Sequence, residues 1–125
     1  MANNMVGIHH GSLIVKDTAR ALQFYQKILG LTINPDRPEL GYPGAWLDIG
    51  NQQIHLLEVQ NPYSVSSQPR HGGRDRHLAL QVYSLDEVIN RLDDFDYAYS
   101  KSKSGRAALF VRDPDGNAIE LIETK

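Results

Sequence analysis

The sequence predicts an α+β fold made of two copies of one strand–helix–strands unit, their sheets enclosing a cup and their helices lying outside it. Three observations carry that prediction. Apolar residues alternate with a period of two in several short runs and recur at helical spacing in two longer ones. The order strand, helix, strands occurs twice along the chain. Laying His10 over His77 brings Val15 onto Val82 and Leu22 onto Ile89, and Gly50-Asn-Gln-Gln-Ile-His-Leu-Leu-Glu58 resembles Gly116-Asn-Ala-Ile-Glu-Leu-Ile-Glu123. Two matches in the same order point to an internal duplication.

Each element has a local reason. In Ile8–Val15 the residues Gly11, Leu13 and Val15 share one face of a strand, and His10, Ser12 and Ile14 the other. Asp17 is an N-cap for a helix over Thr18–Leu29, whose apolar positions Ala21, Leu22, Tyr25, Ile28 and Leu29 recur at helical spacing. Gly30 suits the position after its end. Leu31–Ile33 reads as a short strand, and 34–44, with three prolines and two glycines, as a loop. Ala45–Ile49 and Gln53–Val59 form a hairpin around Gly50-Asn51-Gln52. The stretch Gln60–Arg76 has no periodicity and is long for a connection, as lids and binding loops often are. His77–Val82 opens the second copy. Ser84 and Glu87 make a capping-box pattern before a helix over Leu85–Asp94. Tyr97–Tyr99, Ala107–Arg112 and Ala118–Glu123 read as strands, the last two joined by the turn Asp113-Pro-Asp-Gly116.

Composition bounds the function. A chain of 125 residues is the length of one domain, 1–125, here with modules at about 7–59 and 77–124 joined by the loop 60–76. Apolar residues make up 41% and charged ones 22%, which excludes a disordered or fibrous chain. Thirteen basic and fifteen acidic side chains give a net charge of −2, so no nucleic-acid partner is expected. With no cysteine there is no thiol nucleophile and no Cys-based metal site. No apolar run is long enough for a membrane span and no signal peptide is visible, so a soluble cytoplasmic protein is expected. There is no glycine-rich phosphate loop, and Ser12 has no Asp/His arrangement around it that would make a hydrolase triad.

The duplication singles out His10, His77, His55 and Glu120. All are imidazole or carboxylate, the side chains that hold borderline divalent cations. Parity puts them together: the helix-facing residues are Leu13 and Val15, Leu78, Leu80 and Val82, Ile54 and Leu56, and Ile119 and Leu121, so all four candidates point to the face the helices leave open. An isolated buried carboxylate within Ile-Glu-Leu-Ile is very costly without a partner. The expectation is one metal site with ligands His10, His55, His77 and Glu120 converging near a point. His9 has the helix-face parity and receives no role. His71 lies in the long loop. Arg70, Arg74 and Arg76 flank it and read equally as a cationic rim for an anionic substrate or as a solvated basic loop with Asp75 as partner. Trp46, Tyr42 and Phe110 fit either the lining of a cup or the core.

These residues resemble a known family. His10, then Leu13-Ile-Val-Lys-Asp17, Phe24-Tyr25 and Leu29-Gly30-Leu31 resemble the opening of the vicinal oxygen chelate superfamily, which groups glyoxalase I, bleomycin resistance proteins and extradiol dioxygenases. Arg112-Asp-Pro-Asp-Gly-Asn-Ala-Ile-Glu120 resembles its closing motif, and the likeness runs from about Ile8 to Glu123. It implies tandem βαβββ modules forming a cup-shaped mixed sheet with helices on the outer face, a divalent metal in the cup, His10, His77 and Glu120 at ligand positions, and a homodimer. His55 stands where bacterial glyoxalase I enzymes usually carry glutamate, which leaves Glu120 as the one carboxylate of the set and the candidate general base. The expected activity is that of a metal-dependent enzyme resembling glyoxalase I, a lyase or isomerase that moves a proton beside a carbonyl of a small substrate with vicinal oxygens. The metal, Zn, Ni, Mn or Fe, would act as a Lewis acid. A small-ligand binding or resistance protein of the same fold and an iron-dependent ring-cleaving dioxygenase are the alternatives. Whether one site is built within one chain or across two stays open.

Overall fold

The computed structural model describes residues 3–63 and 67–124. Its strands form two four-stranded sheets of identical plan. In the first, β1 (His10–Val15) pairs parallel with β4 (Gln52–Glu58), which pairs antiparallel with β3 (Gly44–Ile49), which pairs antiparallel with β2 (Thr32–Ile33). In the second, β5 (His77–Val82), β8 (Ala118–Glu123), β7 (Ala108–Arg112) and β6 (Tyr99–Lys101) repeat that order and those directions. The duplication extends to single residues: Ser12 lies beside His55 as Ala79 lies beside Glu120. On the next strand Trp46 lies beside His55 and Phe110 beside Glu120. The fold is the expected α+β one of tandem βαβββ modules.

A helix covers one face of each sheet. α1 (Thr18–Leu22) passes directly into a π-helical stretch, Gln23–Ile28, and α2 spans Leu85–Asp94. The π-helical stretch corrects the plain α-helix expected over Thr18–Leu29. There the peptide bonds reach one residue further, as from Leu29 N–H to Phe24 C=O at 3.0 Å. The wider turn buries Phe24, Tyr25 and Ile28 completely against the sheets. Gly30, with φ +75°, closes the helix as its position suggested. Asp17 caps α1 as expected, accepting from Arg20 N–H at 2.9 Å. Ser84 makes no side-chain cap on α2, contrary to its capping-box pattern. The last residue of each module's final strand reaches back instead. Glu58 accepts from Thr18 N–H at 2.7 Å and Glu123 from Leu85 N–H at 3.0 Å. β6 begins two residues later than Tyr97, because Asp96 turns at φ 59° and Tyr97 N–H still bonds Leu92 C=O.

The core gathers the helix-facing side of both modules: Val15, Leu47, Ile54 and Leu56 from the first sheet, Leu109, Ile119 and Leu121 from the second, with Phe24, Tyr25 and Leu92 from the helices. The seam between modules is also polar. The turn after β7 docks on the end of β1: Tyr25 O–H donates to Asp113 at 2.6 Å, Arg20 pairs with Asp115 at 2.6 Å, and Asn117 Nδ2 donates to Ile14 C=O at 3.0 Å. Burial pushes the Asp113 carboxyl up, and burial together with that carboxylate's charge pushes the Tyr25 phenol well above its ordinary value. No helix among the described residues is long and apolar enough to cross a membrane.

Candidate metal centre

All four predicted ligands stand on the uncovered face of their sheets, as parity required, but in two pairs. In the first module the His10 ring stacks on the His55 ring at 3.8 Å, and Trp46 stacks on the far side of His55 at 4.5 Å. His55 is 9% exposed. Its Nε2 meets Gln53 Oε1 at 2.8 Å, and the Gln53 amide N–H points the other way, to Asp48 at 3.3 Å, which fixes the amide's orientation. Burial first, then the neighbouring His10, His9 and Arg37, hold the His55 imidazole below its ordinary value, which favours the neutral form that metals require. His9, given no role from the sequence, bonds ring to ring with His10, Nδ1 to Nδ1 at 2.8 Å.

In the second module Glu120 is 3% exposed, and each of its oxygens has a nitrogen partner. His77 Nε2 lies 3.3 Å from Oε1 and Arg106 Nη2 lies 3.0 Å from Oε2. His77 Nδ1 lies 2.8 Å from the Asp75 carbonyl oxygen, which can only accept, so Nδ1 carries the proton. Nε2 is the ring nitrogen turned toward the carboxyl. Two acceptors at that distance require a cation or a second proton between them. The orientation of His77 by a backbone carbonyl is also the usual support of a metal-binding imidazole. The donor set of both pairs thus fits a divalent metal. The four do not converge within one chain, however: among the described residues no three His, Asp or Glu side chains gather closely enough to hold a metal ion.

The long loop is less free than its sequence suggested. Residues Gly72–Arg74 make a 3₁₀ turn seated on β7 and β8. A Cβ at Gly72 would stand 3.2 Å from Ala118 and 3.3 Å from Phe110, so a larger residue would have to push those side chains back by a few tenths of an ångström. His71 bonds Ser100 Oγ at 2.8 Å, and its ring meets Phe110 edge-on, as does His77. Arg112 fastens the loop through Asp75 at 2.8 Å and Pro69 C=O at 2.6 Å. That bond holds the Asp75 carboxyl below the usual range. Asp75 is thus the partner of Arg112; of the three loop arginines, only Arg76 bonds it, and through its backbone N–H. Arg70, Arg74 and Arg76 are exposed and stand apart. Arg70 borders a cavity beside β6, and Arg76 borders a second one beside His77. Sequence reasoning missed Arg106 and Gln53, which sit on or beside the ligand pairs. Gln53 was findable from parity, since it shares a face with His55; nothing local marks Arg106, whose partner is 14 residues away across a hairpin.

Fold and site together define a class: a duplicated βαβββ protein with a pair of imidazole or carboxylate side chains on the open face of each module. The chain belongs to the Glyoxalase/Bleomycin resistance protein/Dioxygenase superfamily, whose profile matches residues 7–121. Glyoxylase I 4 of Arabidopsis thaliana is 32% identical over 124 residues, 94% of this chain and 71% of that protein. Lactoylglutathione lyase of Salmonella typhimurium strain LT2 is 31% identical over 124 residues, 93% of this chain and 91% of the enzyme. A crystal structure of a Bacillus anthracis protein assigned to the glyoxalase family superposes with a TM-score of 0.80 at 28% identity, covering 100% of both chains.

Proposed function

We propose that this protein is a divalent-metal-dependent enzyme resembling glyoxalase I, acting as a homodimer in the cytoplasm on a small substrate with vicinal oxygens. The observation that supports the reading is the second pair: a buried carboxyl 3.3 Å from the Nε2 of a carbonyl-oriented histidine. His10 and His55 of one protomer and His77 and Glu120 of its partner would together hold the metal, giving two equivalent sites per dimer. Once bound, the metal supplies a Lewis acid that stabilises negative charge on the substrate's oxygens.

The chain's own residues do the rest. Glu120 accepts the proton from the carbon beside the carbonyl and returns it to the neighbouring carbon. Arg106, fixed on the second oxygen of Glu120, orients the carboxylate while it waits. Asp75 holds His77 in one tautomer, and the Asp48–Gln53 chain does the same for His55. Trp46 and Phe110 flank the two pairs with apolar surface that excludes water from them.

Subunit complementation tests this. His10→Ala and His77→Ala each break both sites of their own homodimer, so neither variant alone retains tight metal or turns over the hemithioacetal of methylglyoxal and glutathione. Mixed after unfolding and refolding, half the dimers are hybrids with one intact site, and about a quarter of wild-type metal content and activity returns. Full loss in the mixture would mean that each chain builds its own site. Wild-type protein that takes up no divalent metal would be a binding protein, and the enzyme reading would fall.

A further inference from the structure

Where the two modules meet lies a cavity of about 450 Å³, a size ordinary for small-molecule sites. Apolar side chains from both sheets form part of its wall: Ile14 and Leu57 come from the first, Leu78 and Ala118 from the second, and Tyr63 from the connecting loop. Polar side chains line the rest, among them Ser12, Asn61, Gln68 and Asn117, and each of the two carboxylates on it has one oxygen paired with an arginine. Asp75 is neutralised by Arg112 at 2.8 Å and Asp115 by Arg20 at 2.6 Å. That leaves Arg76. Its guanidinium lies 4.1 Å over the Tyr63 ring, which holds it flat at the wall, and among the described residues no carboxylate pairs with it. His77, whose Nε2 faces Glu120, also borders the cavity.

We propose that this cavity binds the apolar body of an amphipathic monocarboxylate, with the carboxylate on Arg76. A guanidinium with no carboxylate partner, beside a chamber that has apolar side chains from both sheets and whose two acids pair with other arginines, selects a single negative charge attached to hydrocarbon. Because His77 borders the same space, the ligand's other end reaches the candidate metal centre. The proposal rests on the enzyme reading for that direction only; the binding itself needs no metal.

Calorimetric titration of the full-length protein, as purified, with butanoate, hexanoate and octanoate and with the matching 1-alkanols decides it. Affinity for the carboxylates should rise about three- to fourfold per added CH₂ until the chamber is full. Hexanol should bind at least tenfold more weakly than hexanoate. Arg76→Gln should weaken hexanoate about tenfold, whereas Arg76→Lys, which keeps the charge, should stay within about threefold. Ser12→Trp, at an exposed strand position on the cavity wall, should abolish binding by filling it, with the thermal midpoint confirming that the variant is folded. Equal affinity for hexanol and hexanoate, an unchanged Arg76→Gln, or no binding at millimolar carboxylate would overturn the proposal. Carboxylate binding in a protein that takes up no metal would leave it standing and sink the enzyme reading; metal uptake without carboxylate binding would do the reverse.

Discussion

The two modules share a backbone plan yet furnish the same positions with opposite electrostatics. The first offers two imidazoles packed face to face under an indole, the buried one held below its ordinary value. The second offers a buried carboxyl bracketed by an imidazole and a guanidinium. A duplicated fold thus separates two tasks that a single cluster would have to combine. In the proposed site one half would give imidazole nitrogen donors, whose affinity for a metal depends on staying unprotonated. The other would give the charge and the proton acceptor. On that reading neither half is a metal site alone: each has two candidate donors, and a tetrahedral or octahedral ion needs more.

Removing the charge should break the asymmetry most. Glu120→Gln keeps the shape and one oxygen donor, and turnover should fall by about 10²-fold or more, the scale of general-base loss, with weaker metal binding as well. Steady-state rates and metal titration check both. His55→Glu would test the same asymmetry from the other side by giving both halves a carboxylate; glyoxalase turnover that rises in this variant assigns the native histidine to substrate choice.

Arg106 sharpens the comparison at smaller scale. Its guanidinium competes with any cation for Glu120, but its side chain is 58% exposed and solvent screens it. Arg106→Ala should raise affinity for Zn²⁺ about three- to tenfold in a chelator competition, while the equivalent change at exposed Arg74 should do nothing. An unchanged affinity would show that the ion pair opens without cost.

Tyr25→Phe leaves both pairs intact and removes a donor from buried Asp113. Urea unfolding should show a loss of about 1–2 kcal/mol with no change in metal content. If metal binding falls with it, the seam and the site are coupled.

The smallest effect is in pH. The folded chain holds the His55 imidazole below its ordinary value of about 6.5, so the unfolded chain takes up the proton first as pH falls. Metal-free protein should therefore lose stability between pH 7 and 5, and His55→Gln should lessen that slope. The chain's single tryptophan, stacked on His55, gives an optical reading of the same change.

Much of this was legible in the sequence because it is local or repeated. Period-two alternation around His10, His55, His77 and Glu120 gave their shared face, and the offset between copies gave their equivalence. Element bounds slipped by a residue or two where turns are set by tertiary contacts, as at Tyr97. What stayed hidden was long-range. The capping role of Glu58 and Glu123 joins residues 40 and 38 apart, and no local pattern announces it. The π-helical stretch follows from burying Phe24 and Tyr25 together, which depends on a sheet the helix has yet to meet. The seat of Gly72 is a question of clearance from Phe110 and Ala118. The division of the four ligands into pairs depends on how the modules are placed, about which strand periodicity says nothing.

Those two glutamate caps set an order of events at the ribosome. While the chain is being made, α1 can form its first turn on Asp17, but the Thr18 amide has no partner until Glu58 has emerged and β4 has docked beside β1. The same delay repeats between Leu85 and Glu123. Each helix is therefore fastened by the last residue of its own module's final strand, so a module is locked only when that strand is complete, and the first can be locked before the second has been synthesised.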